Sequence, residues 1–208
     1  MQKAVIGFIG PSGSGKTLSA LRVAYGMMSE KYKDKDSEFI WSKIGVIDTE
    51  HKRSMLYTGQ SFGDLDIKSF YQIDLEPPDS TEIYIQALKA LKDVGVEVVI
   101  VDSLSHNWSG KGGIVDEQSR MPGNSFQNWG KMAPHTHELV DALTKNDVHI
   151  LTTMRVKTEY VVEPNKDGKM APRKVGTKPV QKDEFEYEFM INFSIDMDNV
   201  ASVSKDNS

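Results

Sequence analysis

The chain has 208 residues, of which 38% are apolar, and this length allows one sizeable core without requiring a second domain. Its formal net charge of −5 argues against a generally basic nucleic-acid binder, although a basic segment can lie within an acidic chain. There is no cysteine, no signal-like N-terminus and no apolar run of the roughly 20 residues that span a bilayer, which predicts a soluble, cytoplasmic protein without disulfides.

The N-terminus predicts a strand near residues 4–9, a glycine-rich turn and a helix near 16–30. The turn fits the motif GxxxxGK[ST] at every fixed position, in the strand-to-helix context that the motif requires, through Gly10, Pro11, Ser12, Gly13, Ser14, Gly15, Lys16 and Thr17. Such a loop turns backbone N–H groups toward a polyphosphate, while the lysine reaches the outer phosphates and the threonine hydroxyl faces Mg²⁺. We predict a nucleotide site, with ATP favoured because the guanine-reading motif NKxD is missing.

Two further predicted strands end on carboxylates. The segment IGVIDTEH forms a strand near 44–48 and leads into Asp48 and Glu50, whereas VEVVIVDSLSH forms a strand near 97–102 that ends at Asp102. Because ligands bind at the carboxyl ends of strands in open α/β sheets, Asp102 is expected to hold Mg²⁺, through water. A solvated strand end is the alternative for each carboxylate.

Hydrolysis needs a group that orients or deprotonates a water beside the γ-phosphate. Residue 103 is serine, so the common Asp-Glu pair at the end of the metal-binding strand is missing. Glu50 follows the strand after the first helix, on the same edge of the sheet, and we predict that it is the catalytic base. A carboxylate that caps the next helix is the alternative for Asp48 or Glu50.

The remaining pattern continues the alternation of strands and helices. Strands are predicted near 66–73 and 148–153, and helices near 80–93 and 133–145, which indicates an α/β fold with a mostly parallel sheet covered on both faces. Residues 103–132 read as a glycine-rich loop in which Trp108, Phe126 and Trp129 serve as anchors or stack on bases. His106, His135 and His137 are interpreted as surface or loop histidines.

Taken together, GPSGSGKT, VIDTEH, VEVVIVDSLS and ILTTMRVK resemble, in this order, the motifs of the RecA-type recombinase ATPases. The chain is still more similar to the small phage-encoded RecA-like ATPases linked to single-strand annealing and recombination, through IDTEHKRS, DSLSHNW, TTMRVKTEY and KVGTKPVQKDEFEYEF. The resemblance implies a single RecA-like P-loop NTPase domain over residues 1–200, with a polar, disordered tail at 201–208.

The same resemblance implies roles for individual residues. Lys16 and Thr17 would act on the phosphates and Mg²⁺, Glu50 would activate water, Asp102 would support the metal, and Tyr57 would be a platform for adenine. RecA proteins carry a glutamine that senses the γ-phosphate where this chain has Thr153, and Arg155 or Lys157 is a candidate for that task.

Residues 155–182 are locally basic. They hold eight basic and three acidic residues, a net +5, so the rest of the chain carries −10. The runs EYVVEP and MAPRKVG flank the turn signal NKDG and predict a β-hairpin arm, followed by antiparallel strands at the sheet edge. In RecA proteins the loop after this strand contacts DNA, so we predict phosphate contacts to single-stranded DNA from Arg155, Lys157, Lys169, Arg173 and Lys174. A solvated hairpin, or an arm reaching the ATP of a neighbouring subunit, is the alternative.

The leading hypothesis is a DNA-stimulated, Mg²⁺-dependent ATPase that binds single-stranded DNA and promotes annealing or recombination in a phage-type system. It would act as a homo-oligomer with ATP near the subunit interface, with a single-strand DNA-binding protein as a further partner and the bacterial host cytoplasm as its location. A small-molecule or nucleotide kinase, and a non-catalytic nucleotide switch in phage replication, are the alternative functions.

Overall fold

The computed structural model describes residues 3–164 and 169–207, except for the side chain of Lys174. Its strands are β1 (Val5–Gly10), β2 (Ile44–Asp48), β3 (Ser61–Phe62), β4 (Leu65–Asp66), β5 (Tyr71–Asp74), β6 (Val98–Asp102), β7 (His149–Pro164), β8 (Met170–Pro179), β9 (Ile191–Ile195) and β10 (Ala201–Asp206). Its helices are α1 (Lys16–Lys31), α2 (Ser37–Trp41), α3 (Thr81–Asp93), α4 (Ser105–Ser109), α5 (Ile114–Arg120) and α6 (Ser125–Thr144).

The main sheet has eight strands, in the order β10-β9-β1-β7-β6-β2-β5, and β8 pairs with β7 off this path. From β9 to β5 every neighbouring pair is parallel, while β10 and β8 run antiparallel to their partners. The register sets Asp48 opposite Asp102 and Gly10 opposite Arg155. The ends of β1, β2 and β6 therefore meet at one edge of the sheet.

Both faces of the sheet are covered because successive side chains of a strand point to opposite sides. Ile6 and Phe8 of β1 join the core formed with α1 and α2, whereas Val5 and Ile9 join the core formed with α3 and α6. The central strands β2 and β6 are buried along their whole length, as expected for a parallel sheet between two helical layers. The predicted α/β class is confirmed.

The strand predicted at 66–73 was wrong over half of its length, residues 67–70. Residues 61–66 form a small hairpin of β3 and β4, and Ile67 continues it through hydrogen bonds with Gly59 and Gln60. Gly63 adopts a left-handed φ of 65° in its turn. The residues of the predicted strand are thus divided between this hairpin and β5. Strand β5 starts only at Tyr71 and pairs with β2.

The stretch 103–132 is helical for much of its length and is not the predicted loop. It contains α4, α5 and the first turns of α6, which starts eight residues before the predicted position of 133. Asn124 caps α6 by accepting hydrogen bonds from Phe126 and Gln127 N–H. Pro134, which suggests a helix start, lies inside this helix instead.

The C-terminal part also differs from the prediction. Residues 201–206, expected to be a disordered tail, form the edge strand β10 against β9. Strand β9 itself runs parallel to β1, where antiparallel pairing was expected. The predicted hairpin arm is present as a two-stranded ribbon of β7 and β8, paired from Val156 opposite Pro179 to Pro164 opposite Met170. The predicted turn at 165–168 lies outside the described residues.

In the part of the chain that the structure describes, no helix has both the length and the apolar character needed to cross a membrane.

Candidate nucleotide site

The glycine-rich loop joins β1 to α1 in the conformation that the motif requires. Gly13 and Gly15 both have a φ of 84°, a left-handed conformation that favours glycine. Gly15 is also the N-cap residue of α1, and the first turn of this 16-residue helix carries no acidic side chain. Its free backbone N–H groups therefore form an uncompensated positive helix end, which suits an anionic phosphate.

A cavity of about 350 Å³ lies in front of this loop. Five of the eight motif residues line it, namely Ser12, Gly13, Gly15, Lys16 and Thr17. The other lining residues come from distant parts of the chain: Glu50, Arg53, Leu56, Tyr57, Asp102 and Arg155. Gly10, Pro11 and Ser14 do not line the cavity.

Lys16 is the cation at the base of this cavity. Its ammonium donates a 2.7 Å hydrogen bond to the carbonyl oxygen of Pro11, across the loop. Burial lowers the pKa of Lys16, and the positive charges of Arg155 and Arg53 act in the same direction, while Asp102 and Glu50 partly offset them. An anionic ligand beside this ammonium would relieve that cost of burial.

Asp102 is buried at the end of β6 and is held by two threonines. Thr17 Oγ1 donates to Asp102 Oδ2 at 2.6 Å, and Thr153 Oγ1 donates to Asp102 Oδ1 at 2.5 Å. Burial raises the pKa of Asp102, and the negative charges of Glu50 and Asp48 add to this effect, while the two hydroxyls oppose it. Thr153 is thus bonded to the predicted metal-binding carboxylate.

Asp48 and Glu50 have separate surroundings, which the sequence alone left open. Asp48 is buried and accepts hydrogen bonds from Glu50 N–H at 2.7 Å, Ser54 N–H at 2.9 Å and the Ser54 hydroxyl at 2.5 Å. Ser54 belongs to a one-turn 3-10 helix, Arg53–Tyr57. Asp48 therefore fixes the loop after β2, and Glu50 is the carboxylate that this loop presents to the cavity.

Glu50 is held by two arginines. Arg155 reaches one carboxylate oxygen with Nε at 2.9 Å and with Nη2 at 2.7 Å, and Arg53 Nη1 reaches the other oxygen at 3.1 Å. Burial raises the pKa of Glu50, but the hydrogen bonds and charges of Arg155 and Arg53 outweigh it, so the pKa lies below its ordinary value. Glu50 is therefore an ionised carboxylate at neutral pH.

The outer wall of the cavity is apolar. Tyr57 is half-buried and packs its ring against Phe62 with 5.7 Å between the ring centroids. Leu56 beside it is 73% exposed. Burial raises the pKa of Tyr57, so its hydroxyl stays protonated and the ring can present a neutral surface to a nucleobase.

His106 is not the surface histidine predicted. It lies half-buried on α4, with Nδ1 2.6 Å from the Thr49 hydroxyl, and burial lowers its pKa. His135 is exposed in part and pairs with Glu82 at 3.0 Å. Glu82, His135 and Glu138 bring possible metal-ligand atoms within 4.8 Å of one another, but on the surface of α3 and α6.

The five predicted DNA contacts fall into different surroundings. The guanidinium of Arg155 lies in the cavity on Glu50, while that of Arg173 pairs with Glu163 on the neighbouring strand of the ribbon. Lys157 and Lys169 are exposed, and the side chain of Lys174 lies outside the described residues. Their contact with DNA stays a prediction.

The ribbon has an apolar face. Residues opposite each other in an antiparallel pair share a face, so Tyr160, Val162, Pro164, Met170 and Pro172 lie on one side of it. Tyr160 is 60% exposed there. Of the aromatic residues predicted to anchor the preceding segment, Trp108 and Trp129 stack at 5.7 Å, whereas Phe126 is exposed.

The sequence did not predict the contacts that four residues make with the carboxylates of this site. They are Ser54 on Asp48, Thr153 on Asp102, and Arg53 and Arg155 on Glu50. Arg53 and Ser54 follow Glu50 closely, so the short distance in sequence was an available signal. Thr153 and Arg155 are more than 50 residues from their partners, and only the strand order β7-β6-β2 brings them there.

Comparison with known proteins gives one family. A family model described as an AAA domain matches residues 2–205. A search of functionally described proteins found no match.

Proposed function

Because this chain belongs to the AAA-domain family of P-loop ATPases, we propose that it is an Mg²⁺-dependent ATPase that acts on single-stranded DNA. Its role would be to promote strand annealing in a recombination system of the phage type, in the host cytoplasm. The family supports nucleotide binding and hydrolysis, and the dependence on Mg²⁺ and DNA is our proposal.

The observation that best supports ATP hydrolysis is the position of Glu50. Its carboxylate lines the same cavity as Lys16 and Thr17, although it lies 34 residues further along the chain than Lys16. It is ionised, as a proton acceptor must be, and the turn built by Asp48 fixes its backbone. A site that only bound nucleotide would not need a buried carboxylate facing the phosphate loop.

The donor set also fits Mg²⁺. The Thr17 hydroxyl and the Asp102 carboxylate are hard oxygen donors, 2.6 Å apart at the mouth of the loop, and Mg²⁺ prefers such oxygens together with phosphate. When bound, Mg²⁺ would neutralise charge that develops on the phosphates. The buried charge of Asp102 would then be neutralised, which would remove the energetic cost of burying it.

The reaction would be an in-line displacement at the γ-phosphorus. A water oxygen attacks as Glu50 accepts one of its protons, and the bond from the γ-phosphorus to the bridging oxygen of ADP breaks with its electron pair left on ADP. Lys16 and the N–H groups at the start of α1 would stabilise the charge that accumulates on the phosphate oxygens. The products are ADP and phosphate.

The ribbon supports the proposed role on DNA. It leaves the main sheet directly after Arg155, at the rim of the nucleotide cavity, and its residues belong to the segment of net charge +5. Exposed Lys157 suits a phosphate, and exposed Tyr160 offers a ring on which a base can stack. We assign Lys157, Lys169, Arg173 and Lys174 to this contact, whereas the guanidinium of Arg155 lies on Glu50 in the nucleotide cavity.

We also propose that a second copy of the chain covers the open side of the cavity. Met55 and Leu56 expose apolar side chains on the 3-10 helix at this rim, where a neighbouring subunit would bury them. A single-strand DNA-binding protein is proposed as a further partner, on the resemblance alone.

The test is phosphate release from ATP with Mg²⁺, with and without single-stranded DNA, for the wild type and for Glu50→Gln. We expect turnover that DNA increases, and a loss of at least about 100-fold in Glu50→Gln with ATP binding retained. Glu30→Gln, which neutralises an exposed carboxylate at the far end of α1, is the control and should leave turnover unchanged. Normal turnover in Glu50→Gln would reject the role of Glu50. Absence of DNA stimulation would favour a kinase or a nucleotide switch. Transfer of phosphate to an added acceptor would then favour the kinase, and nucleotide binding without such transfer would favour the switch.

A further inference from the structure

Arg155 is positioned to serve the nucleotide and not the DNA. Although it is the first residue of the basic segment, its guanidinium lines the nucleotide cavity together with Lys16 and Thr17. It lies close enough to Lys16 for its positive charge to lower the pKa of that lysine. Two of its nitrogens contact the same oxygen of Glu50.

The backbone of Arg155 is fixed on both sides. Its N–H donates a 2.9 Å hydrogen bond to the Ser105 hydroxyl, at the start of α4, and its carbonyl oxygen accepts a 2.7 Å hydrogen bond from Val180, just after β8. In the sheet it pairs with Gly10, the last residue before the phosphate loop. Any change of partner at Arg155 is therefore a movement of the side chain alone, over a backbone that stays in place.

The pair with Glu50 stabilises the protein without nucleotide but obstructs the reaction. The side chain of Glu50 is only 13% exposed, and a carboxylate in such a place needs a cation beside it. Each carboxylate oxygen offers two lone pairs, however, and the two nitrogens of Arg155 occupy both of those on the oxygen that they contact. That oxygen of Glu50 cannot accept a proton from water while the pair with Arg155 holds, and the positive charge of Arg155 makes the whole carboxylate less basic.

We propose that the terminal phosphate of a nucleoside triphosphate takes the guanidinium of Arg155 from Glu50. A terminal phosphate offers oxygens of higher charge than a carboxylate, and the planar guanidinium suits both groups. The exchange frees one oxygen of Glu50 and sets a cation between two anions that would otherwise repel each other. Arg53 keeps the other oxygen of Glu50 in place. Arg155 is thus a phosphate-binding residue, and its movement frees the Glu50 oxygen only when the third phosphate is present.

This inference rests on the proposed function for its ligand but makes a claim about binding that does not depend on turnover. ADP has no terminal phosphate to take Arg155, so Arg155 should favour the triphosphate over ADP. The ratio of the two affinities isolates this effect, because contacts to the base, the sugar and the first two phosphates are shared by both ligands.

The experiment measures calorimetric Kd values for ADP and for a non-hydrolysable ATP analogue, both with Mg²⁺ and without DNA. In Arg155→Gln we expect the preference for the triphosphate to fall about tenfold or more, as for one lost charge-assisted hydrogen bond, with ADP affinity changed less than about twofold. Arg155→Lys keeps the charge and should recover part of the preference. Lys89→Gln, which removes an equal charge from an exposed side chain on α3, is the control and should keep all of it.

The outcomes separate this inference from the proposed function. An unchanged preference in Arg155→Gln, or an equal loss of both affinities, would overturn the role of Arg155 even if the protein hydrolyses ATP. A lost preference in a protein whose wild type shows no turnover would support Arg155 as a phosphate ligand and reject the ATPase. If Arg155→Gln does not fold, a full wild-type preference in Arg155→Lys would count against the bidentate contact with phosphate. Failure of the wild type to bind either nucleotide would overturn both.

Discussion

The backbone N–H of Glu50 donates a 2.7 Å hydrogen bond to the carboxylate of Asp48, two residues before it. Asp48 also accepts two hydrogen bonds from Ser54 and is fully buried, so its role is to hold the turn that carries Glu50. The two carboxylates that end this strand thus have different tasks. One is structural, and the other faces the nucleotide cavity.

Asp48→Asn tests the structural role. The amide keeps the shape of the carboxylate but can accept through only one of its two polar atoms, which leaves a donor of Ser54 or Glu50 unpaired in the interior. We expect the free energy of unfolding to fall by about 1–3 kcal/mol in urea titrations. Asp64→Asn, at a side chain that is almost fully exposed, is the control, and a change there should stay within about 0.5 kcal/mol. Equal stability of the two variants would contradict a structural role for Asp48.

Asp102→Asn should stabilise the free protein while it removes metal-dependent turnover. Burial raises the pKa of Asp102, and an acid of raised pKa contributes stability below its unfolded pKa of 3.8, which is lost as the pH rises through the folded pKa. At pH 7 the wild type therefore bears the cost of a buried charge that asparagine does not have. The threonine hydroxyls can reorient to pair with the amide.

We expect Asp102→Asn to have a higher free energy of unfolding than the wild type at pH 7, without nucleotide and Mg²⁺, because the variant has no buried charge at this position. Urea titrations from pH 7 down to pH 4 should show this gain shrinking as the wild-type carboxyl becomes protonated. A variant less stable than the wild type at pH 7 would mean that the two hydroxyls already compensate the burial of Asp102.

Thr152 and Thr153, which are adjacent and buried on β7, allow a matched comparison of two substitutions. Thr153 donates to the buried Asp102 carboxylate, whereas the buried hydroxyl of Thr152 has no hydrogen-bond partner within the described ranges 3–164 and 169–207. Thr153→Val should cost about 1–3 kcal/mol, because it leaves a buried charge with one donor fewer, while Thr152→Val should be neutral or stabilising. Thermal or urea unfolding of the two variants decides this, and an equal loss in both would show that the hydrogen bond to Asp102 contributes little.

Local sequence patterns anticipated the parts of the site that short segments define. The phosphate loop was recognisable because eight consecutive residues determine its conformation, and Glu50 and Asp102 because each follows a buried strand of a parallel sheet. The early start of α6 was missed because it depends on capping by Asn124 and on a proline tolerated inside the helix. Helices α4 and α5 were missed because they are short and have no side-chain cap. The contact of Arg155 with Glu50 was missed because it spans 105 residues and depends on the order of the strands.

The tail and the ribbon show a related limit. Residues 201–206 are mostly exposed and polar, so nothing in their composition marks a strand, and they form β10 because β9 offers an unpaired edge. On the ribbon, a count of charges gave +5 but could not show which basic residues already have partners. Register supplies that information, since Arg173 lies opposite Val161 and pairs with Glu163 two residues along the strand.

Glu163 should therefore weaken the proposed DNA contact. Its carboxylate pairs with the guanidinium of Arg173, and a DNA phosphate must compete with it for that cation. Glu163→Gln removes the competing charge, so we expect single-stranded DNA to bind a few-fold more tightly. The slope of log Kd against log salt concentration should also become steeper, by up to about the amount that one further neutralised phosphate gives. Fluorescence anisotropy with a labelled oligonucleotide at several salt concentrations measures both quantities.

The control for this prediction is Glu30→Gln, which removes an equal negative charge from an exposed side chain at the C-terminal end of α1, outside the ribbon. It should change the affinity much less, because screening by salt weakens an effect of net charge beyond about 10 Å. Arg173→Gln should weaken binding, and adding Glu163→Gln to it should restore little, since the guanidinium that the carboxylate occupied is then missing. If Glu163→Gln tightens binding equally with and without Arg173, the effect is one of net charge, and Arg173 does not contact the DNA.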